Sequence, residues 1–344
     1  MRKKYFTNIH KNKTYNLILR LAIIFATYYF IYKQIFENRK LEHVATSFSE
    51  LIHEPHVTFL IVWTFVLMLV NWGIESLKWQ FLINKVERIS FLKSFEAIFS
   101  GISVSIFTPN RVGEWFGRVF IMRKANPWKG VFITMIGSFS QLLTTIIIGA
   151  ISLLFYIPIY FSEASFYSHY LLYGLILLVV VIITALILIF LNVTAIPSFV
   201  SRILKKRFSH FNEYLSVISN YTTRELTTVL LLSFLRYCVF SIQFYILLMT
   251  FSVQIPLLHG LMIISMVFFV MTAIPTVTLA ELGVRGSVSL YFIGLYFERF
   301  LQLTDQINIG IVSSTSTLWL INLAIPALLG TFFVYRLTFF RKKR

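Results

Sequence analysis

Two Glu–Arg couples and a lone arginine stand where charge is expensive. Glu114 and Arg118 close the stretch Thr108-Pro109-Asn110-Arg111-Val112-Gly113-Glu114-Trp115-Phe116-Gly117-Arg118, and Glu281 and Arg285 repeat the same spacing. Arg236 lies inside an apolar run, with Gln243 two helical turns later. Residues i and i+4 share one face of a helix, so each couple can pair. A guanidinium so held has two uses. It can close a structural hairpin, or it can stand ready for a phosphate, whose oxygens fit its planar fork. Arg236 has the same two roles open to it, neutralising Glu114 or Glu281 or binding an anionic headgroup. Asn110 and Arg111 fit the level of lipid headgroups, where snorkelling suffices.

The chain around these residues has 344 positions, is 57% hydrophobic and 13% charged, and has a mean hydropathy of +0.77. That composition predicts an all-α, polytopic integral membrane protein forming one membrane domain over residues 1–344. Three basic segments flank its apolar runs: 1–16, 197–224 and 336–344. The net charge of +17 resides largely in such flanks, where it meets anionic lipid and sets topology rather than binding nucleic acid. The single cysteine, Cys238, excludes a disulfide framework. Asp305 is the only aspartate, so the acidic clusters that hold Mg²⁺ for prenyl or phosphoryl transfer are missing. Zinc-hydrolase, nucleophile-elbow and phosphate-loop motifs are absent as well, and no catalytic residue, metal or cofactor is expected. His53 and His56 have no evident third ligand and read as solvated.

Six runs are expected to span a bilayer: 17–36 (an uncleaved first span), 57–74, 130–157, 170–191, 226–251 and 307–334. Basic residues place the amino terminus, the loop with Lys78, Lys85, Arg88 and Lys93, and the segment at Arg123, Lys124 and Lys129 on the cytoplasmic side. Region 94–117 therefore leaves and returns on that side, too short for two crossings at about 1.5 Å per residue. The loops around 37–56, 158–169, 252–258 and Asp305 fall outside, while Arg202–Arg207 and Arg341–Arg344 fall inside. Region 259–297 thus returns on the external face. Two re-entrant helical hairpins entering from opposite faces suggest an inverted repeat with its site at the midplane. Pro109 and Gly113 in one, Pro275 and Gly283 in the other, are the expected hinges. Ser313–Thr317 reads as close helix packing, and Trp63, Trp72, Trp79 and Trp128 as interfacial anchors.

The segment 108–118, the span opening Leu235-Arg236-Tyr237 with Gln243, and Glu281-Leu282-Gly283-Val284-Arg285 together resemble the membrane domain of lysylphosphatidylglycerol synthase/flippase proteins, over roughly residues 15–335. The second hairpin departs from that family's Gly-Gly-Leu-Gly-Val-Arg-Glu form. Ala280-Glu281 replaces the glycine pair and Gly286 the final Glu. The resemblance implies movement of a modified phospholipid across the cytoplasmic membrane. The chain ends at Arg344 without the cytosolic aminoacyltransferase domain of full-length members, so the synthase reaction is not implied.

Together these readings predict a translocator for a phospholipid or polyprenyl-linked lipid, both termini cytoplasmic, with Glu114, Arg118, Arg236, Gln243, Glu281 and Arg285 as substrate-binding residues. No ATP motif is present, so transport would be facilitated or ion-coupled. An intramembrane lipid-modifying enzyme and a scaffold for a separate partner are the alternatives. A homo-oligomer is compatible with everything in the sequence.

Overall fold

The computed structural model describes residues 15, 17–18, 21–29, 32, 54–106, 108, 111–161, 167–198, 214–275 and 278–334, apart from the side chains of 56, 278 and 279. Pro109, Asn110, His53, the side chain of His56 and the basic clusters at 202–207 and 341–344 lie outside that set. Among the described residues the chain is helical with no strand. We number the helices α1 (21–29), α2 (Pro55–Ile83), α3 (Phe91–Ser105), α4 (Gly113–Val119), α5 (Pro127–Phe161), α6 (His169–Leu191), α7 (Thr223–Thr250), α8 (Leu257–Ala273), α9 (Thr278–Phe300), α10 (Asp305–Trp319) and α11 (Ile325–Val334). Their starts are written in the sequence. Pro55 opens α2, Ser90 and Ser168 cap α3 and α6, and Thr222 with Glu225 forms a capping box on α7.

The bundle buries many polar residues within an apolar core and exposes large apolar side chains on its outside. Ser94, Ser100, Ser103, Ser140 and Ser233 are buried, whereas α6 exposes Tyr170, Leu177, Val181 and Ile189. Helices α2, α5, α6, α7 and the continuous α10–α11 stretch are each long and apolar enough to cross a bilayer. Thr27 on α1 donates to the Ser103 carbonyl, seating the first helix on α3. The run Ser313–Thr317 is buried, with Ser314 donating to Gly310 and Leu247 carbonyls, as close packing requires.

Helices α2 and α7 run antiparallel at the centre: Thr64 meets Gln243, Asn71 meets Arg236, and Lys78 meets Ser233. Exchanging α2 with α7, α3 with α8, α4 with α9, and α5 with α10–α11 leaves the main packing relations unchanged. Helix α3 packs on α11 as α8 packs on α5, and α4 on α5 as α9 on α10. Each crossing of a short helix with a long span is made at a glycine, Gly330 against Phe99 and Gly149 against Phe269. Glu281 also follows Glu114 by the same interval at which Arg285 follows Arg118. This is the packing of an internal repeat, with the equivalent spans α2 and α7 pointing in opposite directions.

The first hairpin is tight. Helix α3 has 15 residues, about 22 Å, too short for a bilayer core. Helix α4 folds back along it, and a side chain at Gly117 would meet Gly101 Cα at 2.6 Å. The second hairpin breaks at Ile274 and Pro275, but its return arm is 23 residues long, about 34 Å, the length of a full crossing. Gly283 is therefore not the hinge. It lies inside α9 with negative φ and open space around it. A helical glycine there loses backbone entropy without return, so Gly283→Ala should raise stability by about 0.5–1 kcal/mol. Gly330→Ala, placing a methyl against the Phe99 carbonyl, should cost at least about 1–3 kcal/mol. Thermal melting of the two variants in detergent checks both signs; a destabilising Gly283→Ala would refute the helical assignment.

The loops sort by end as the charge pattern requires. At one end Lys85 pairs with Glu225 at 2.7 Å, Tyr221 donates to the Leu82 carbonyl, and the Glu87 carboxylate accepts from the backbone of Arg123, Lys124 and Ala125. At the other, Arg299 donates to the Tyr160 carbonyl and Gly310 abuts the Phe251 carbonyl. Three expectations fail here. Helix α2 does not stop at residue 74, and Lys78 is no loop residue: it is 1% exposed within α2. Trp72 and Trp79 are not interfacial anchors but are buried, Trp79 donating to Thr134, because both face the α2–α7 centre. Trp63 and Trp128 remain on the surface.

Candidate functional site

Two charge clusters meet where the hairpins approach the α2–α7 pair. The first begins at the α3–α4 break. Thr108 Oγ1 donates to the Ser105 carbonyl and accepts the Gly113 N–H at 2.9 Å, turning the chain in a space so narrow that a Cβ on Gly113 would meet the Val104 carbonyl at 2.5 Å. Arg111 takes φ 56°, a left-handed conformation costly for a residue with a Cβ. That conformation aims it across the molecule. Its Nη2 reaches both oxygens of Glu281, at 2.8 and 2.7 Å, and Glu281 also accepts from Arg285 Nη2 at 2.7 Å. The two hairpins are thus joined through one carboxylate. Arg111 is no snorkelling residue, since the ion pair holds it inside the protein.

The second cluster is built on Glu75. Its carboxylate is approached by Arg118 Nη1 and Lys78 Nζ at 2.8 Å and by Arg236 Nη1 at 3.1 Å. Arg118 also pairs with Glu114 along α4, as the spacing predicted. Lys78 completes its shell with the Gly137 carbonyl and Ser233 Oγ, both at 3.2 Å. Arg236 donates to Asn71 and Gln141 and lies 4.9 Å over the Trp72 ring. Behind it runs an amide relay. Gln243 donates to the Thr64 carbonyl and accepts from Asn322, whose own oxygen receives Asn71. Asn322 sits in a π-helical turn, Leu320–Ala324, between α10 and α11. Pro326, four residues on, cannot donate to the Asn322 carbonyl, which accounts for the widened turn.

These residues border a cavity of about 730 Å³. Arg111, Arg236, Arg285 and Glu281 line it, together with Asn71, Gln141 and Asn322. Much of the remaining lining is apolar, including Phe139, Leu142, Phe240, Phe268 and Met271, with the hydroxyls of Ser138, Thr145, Tyr237 and Thr272 among them. Phe139 and Leu142 on α5 are exposed, so the cavity is open at this helix. Pro275 lines it at the second break.

Of the residues singled out from sequence, Arg236, Glu281 and Arg285 converge on the cavity. Arg118 and Glu114 do not line it: Arg118 is 3% exposed and its charge is answered by Glu75 and Glu114. Gln243, fully buried, acts on the cavity through Asn322 and Asn71. The partner found for Arg236 is Glu75 rather than Glu114 or Glu281. Glu75 and Asn322 were not singled out from the sequence, and Lys78 was read only as a loop residue. The signal for Glu75 and Lys78 was a Glu–Lys couple at i, i+3 within an apolar stretch, and for Asn322 a polar residue four before a proline in a span.

The family model described as "Lysylphosphatidylglycerol synthase TM region" matches residues 17–304. No curated protein and no solved structure matches.

Proposed function

Because this chain belongs to the lysylphosphatidylglycerol synthase membrane-region family, and so to a family concerned with membrane lipid, we propose that it is a lipid translocator of the cytoplasmic membrane. The observation that carries this reading is the amphipathic cavity. Three guanidinium groups and a set of large apolar side chains line one space, and two of the apolar ones, Phe139 and Leu142 on α5, are exposed. A headgroup can lie among the cations while its chains stay in hydrocarbon. A soluble substrate has no use for the apolar opening. Two helix breaks border the same space, and interrupted helices with paired charge at depth are how carriers build a site that both sides can reach. Among the described residues the cavity offers hydrogen-bond donors and fixed charge but no hydrogen-bonded couple of nucleophile and base, which favours moving a lipid over changing it. The cargo is a phospholipid, aminoacylated or not, or a polyprenyl-linked lipid.

The test is reconstitution into liposomes, with headgroup accessibility followed in time and lipid composition followed by mass spectrometry. Faster transbilayer movement than in protein-free liposomes, without new lipid species, is the expected result. A new species would make the protein an enzyme, and no acceleration would leave it a scaffold.

We assign both termini to the cytoplasm from the basic residues of the sequence; among the described residues, Lys85 and the Arg123–Lys124 segment meet at one end of the bundle. With Cys238 replaced by serine, a cysteine at Lys124 should label only from the inside and one at Asp305 only from the outside. External labelling at Lys124 reverses the orientation.

A further inference from the structure

The cavity wall is unbalanced in a way that selects among lipids. The two charge clusters contain five cations, Lys78, Arg111, Arg118, Arg236 and Arg285, against three carboxylates, Glu75, Glu114 and Glu281. The excess is positive, and all three cations on the wall are arginines.

The uncommitted hydrogen-bonding groups on that wall point the same way. Arg285 Nε and Nη1 are buried without partners, as are the indole nitrogens of Trp72 and Trp319. The guanidinium and the indoles can only donate, while the Tyr237 hydroxyl, also buried without a partner in the lining, can donate or accept. The carboxylate and amide oxygens of the lining are already engaged, and of its hydroxyls Thr145 and Thr272 spend their hydrogens on carbonyls of their own helices. Both oxygens of Glu281 bind Arg111, and one also takes Arg285. Asn71 and Gln141 accept from Arg236, and Asn322 accepts from Asn71. Ser138 Oγ accepts from Trp115. A buried donor without an acceptor is costly. A set of them beside excess positive charge is relieved by a ligand rich in acceptors and negative in charge.

We infer that the headgroup this cavity receives is a bare phosphate ester, carrying no ammonium-bearing substituent. An aminoacyl or ethanolamine headgroup would bring an ammonium among three guanidinium groups whose one carboxylate in the lining, Glu281, is shared by two of them. The phosphate itself suits the forks of Arg236 and Arg285 and the indole N–H groups. A phosphomonoester dianion cancels the local excess of two positive charges, whereas a phosphodiester cancels half of it. The inference rests on the translocator reading for the lipid nature of the ligand, but its test reads binding and not movement.

The purified full chain in detergent is titrated with dioleoyl phosphatidic acid, phosphatidylglycerol, phosphatidylethanolamine and lysylphosphatidylglycerol, and with glycerol 3-phosphate as the soluble source of the same phosphate. Binding is read by native mass spectrometry and thermal shift. Phosphatidic acid should bind best, and both lipids without an ammonium should bind about tenfold or more tighter than both with one. Arg285→Lys, which keeps the charge and loses the fork, should reduce phosphatidic acid binding and shrink that preference. Equal or tighter binding of lysylphosphatidylglycerol overturns the inference, and so does no binding of any lipid. Binding of glycerol 3-phosphate as tight as that of phosphatidic acid would remove the apolar wall from recognition and overturn the lipid assignment. The expected preference without movement in liposomes would sink the translocator reading and leave the headgroup assignment standing. Movement with a preference for aminoacylated lipid would do the reverse.

Discussion

Glu75→Gln should destabilise the protein by about 3–5 kcal/mol, the cost of stripping the partner from buried charge. Three cations from three helices converge on this one carboxylate: Lys78 from α2, Arg118 from α4 and Arg236 from α7. Glu75 and Lys78 are almost wholly buried, and Arg118 is 3% exposed, so water does little to screen them. Glutamine fills the same space and still offers one acceptor, which separates the loss of charge from the loss of packing. Of the three cations Arg118 retains Glu114, while Lys78 keeps only a carbonyl and a hydroxyl. Lys78→Met should therefore recover part of the loss on the Glu75→Gln background, though it is itself destabilising in the parent. Melting temperatures of the four proteins in detergent form a double-mutant cycle. A Glu75→Gln protein melting with the parent would show that the cluster is solvated and that its charges are independent. Glu75→Asp, which keeps the charge on a shorter arm, should fall between the two.

The sequence made the hairpins legible because their signals are local. Proline and glycine beside a Glu–Arg couple mark a broken helix without knowledge of what it packs on, and basic loops give the sense of each return. The within-motif pairs Glu114–Arg118 and Glu281–Arg285 follow from helical spacing alone. What could not be read is the choice of long-range partner. Arg111 precedes α4 in a stretch that reads as headgroup level, and only its left-handed backbone turns it toward Glu281, 170 positions away in the chain. Glu75 was lost for a related reason. Two charges in an apolar run look like its end, whereas here they continue it, because Lys78, Arg118 and Arg236 neutralise the carboxylate inside the bundle. The function of Gln243 was displaced by two residues along its relay: it holds Asn322, which holds Asn71, which holds the arginine on the wall.

Glu281→Gln should separate binding from transport. In the structure Glu281 occupies Arg111 and Arg285 together, so an anionic headgroup entering the cavity competes with a carboxylate that is already there. Such competition is useful to a carrier, whose site has to be favourable enough to fill and weak enough to empty. Removing the carboxylate charge frees two guanidinium groups. Phosphatidic acid should then bind about tenfold tighter, the worth of roughly one charge-assisted hydrogen bond. The same change should slow net movement in liposomes by about tenfold, because release now lacks its internal competitor. The clasp between the hairpins is lost as well, and Arg111, held at φ 56° against Glu281, loses its reason to stay there. Arg111→Gln removes that clasp while leaving Glu281 with Arg285, so it reports on the clasp alone. If Glu281→Gln lowers affinity and rate together, and Arg111→Gln does the same, Glu281 is a structural tie between hairpins. Tighter binding with slower movement in Glu281→Gln, and no tightening in Arg111→Gln, would identify the carboxylate as the group that the lipid displaces on entry and that returns to expel it.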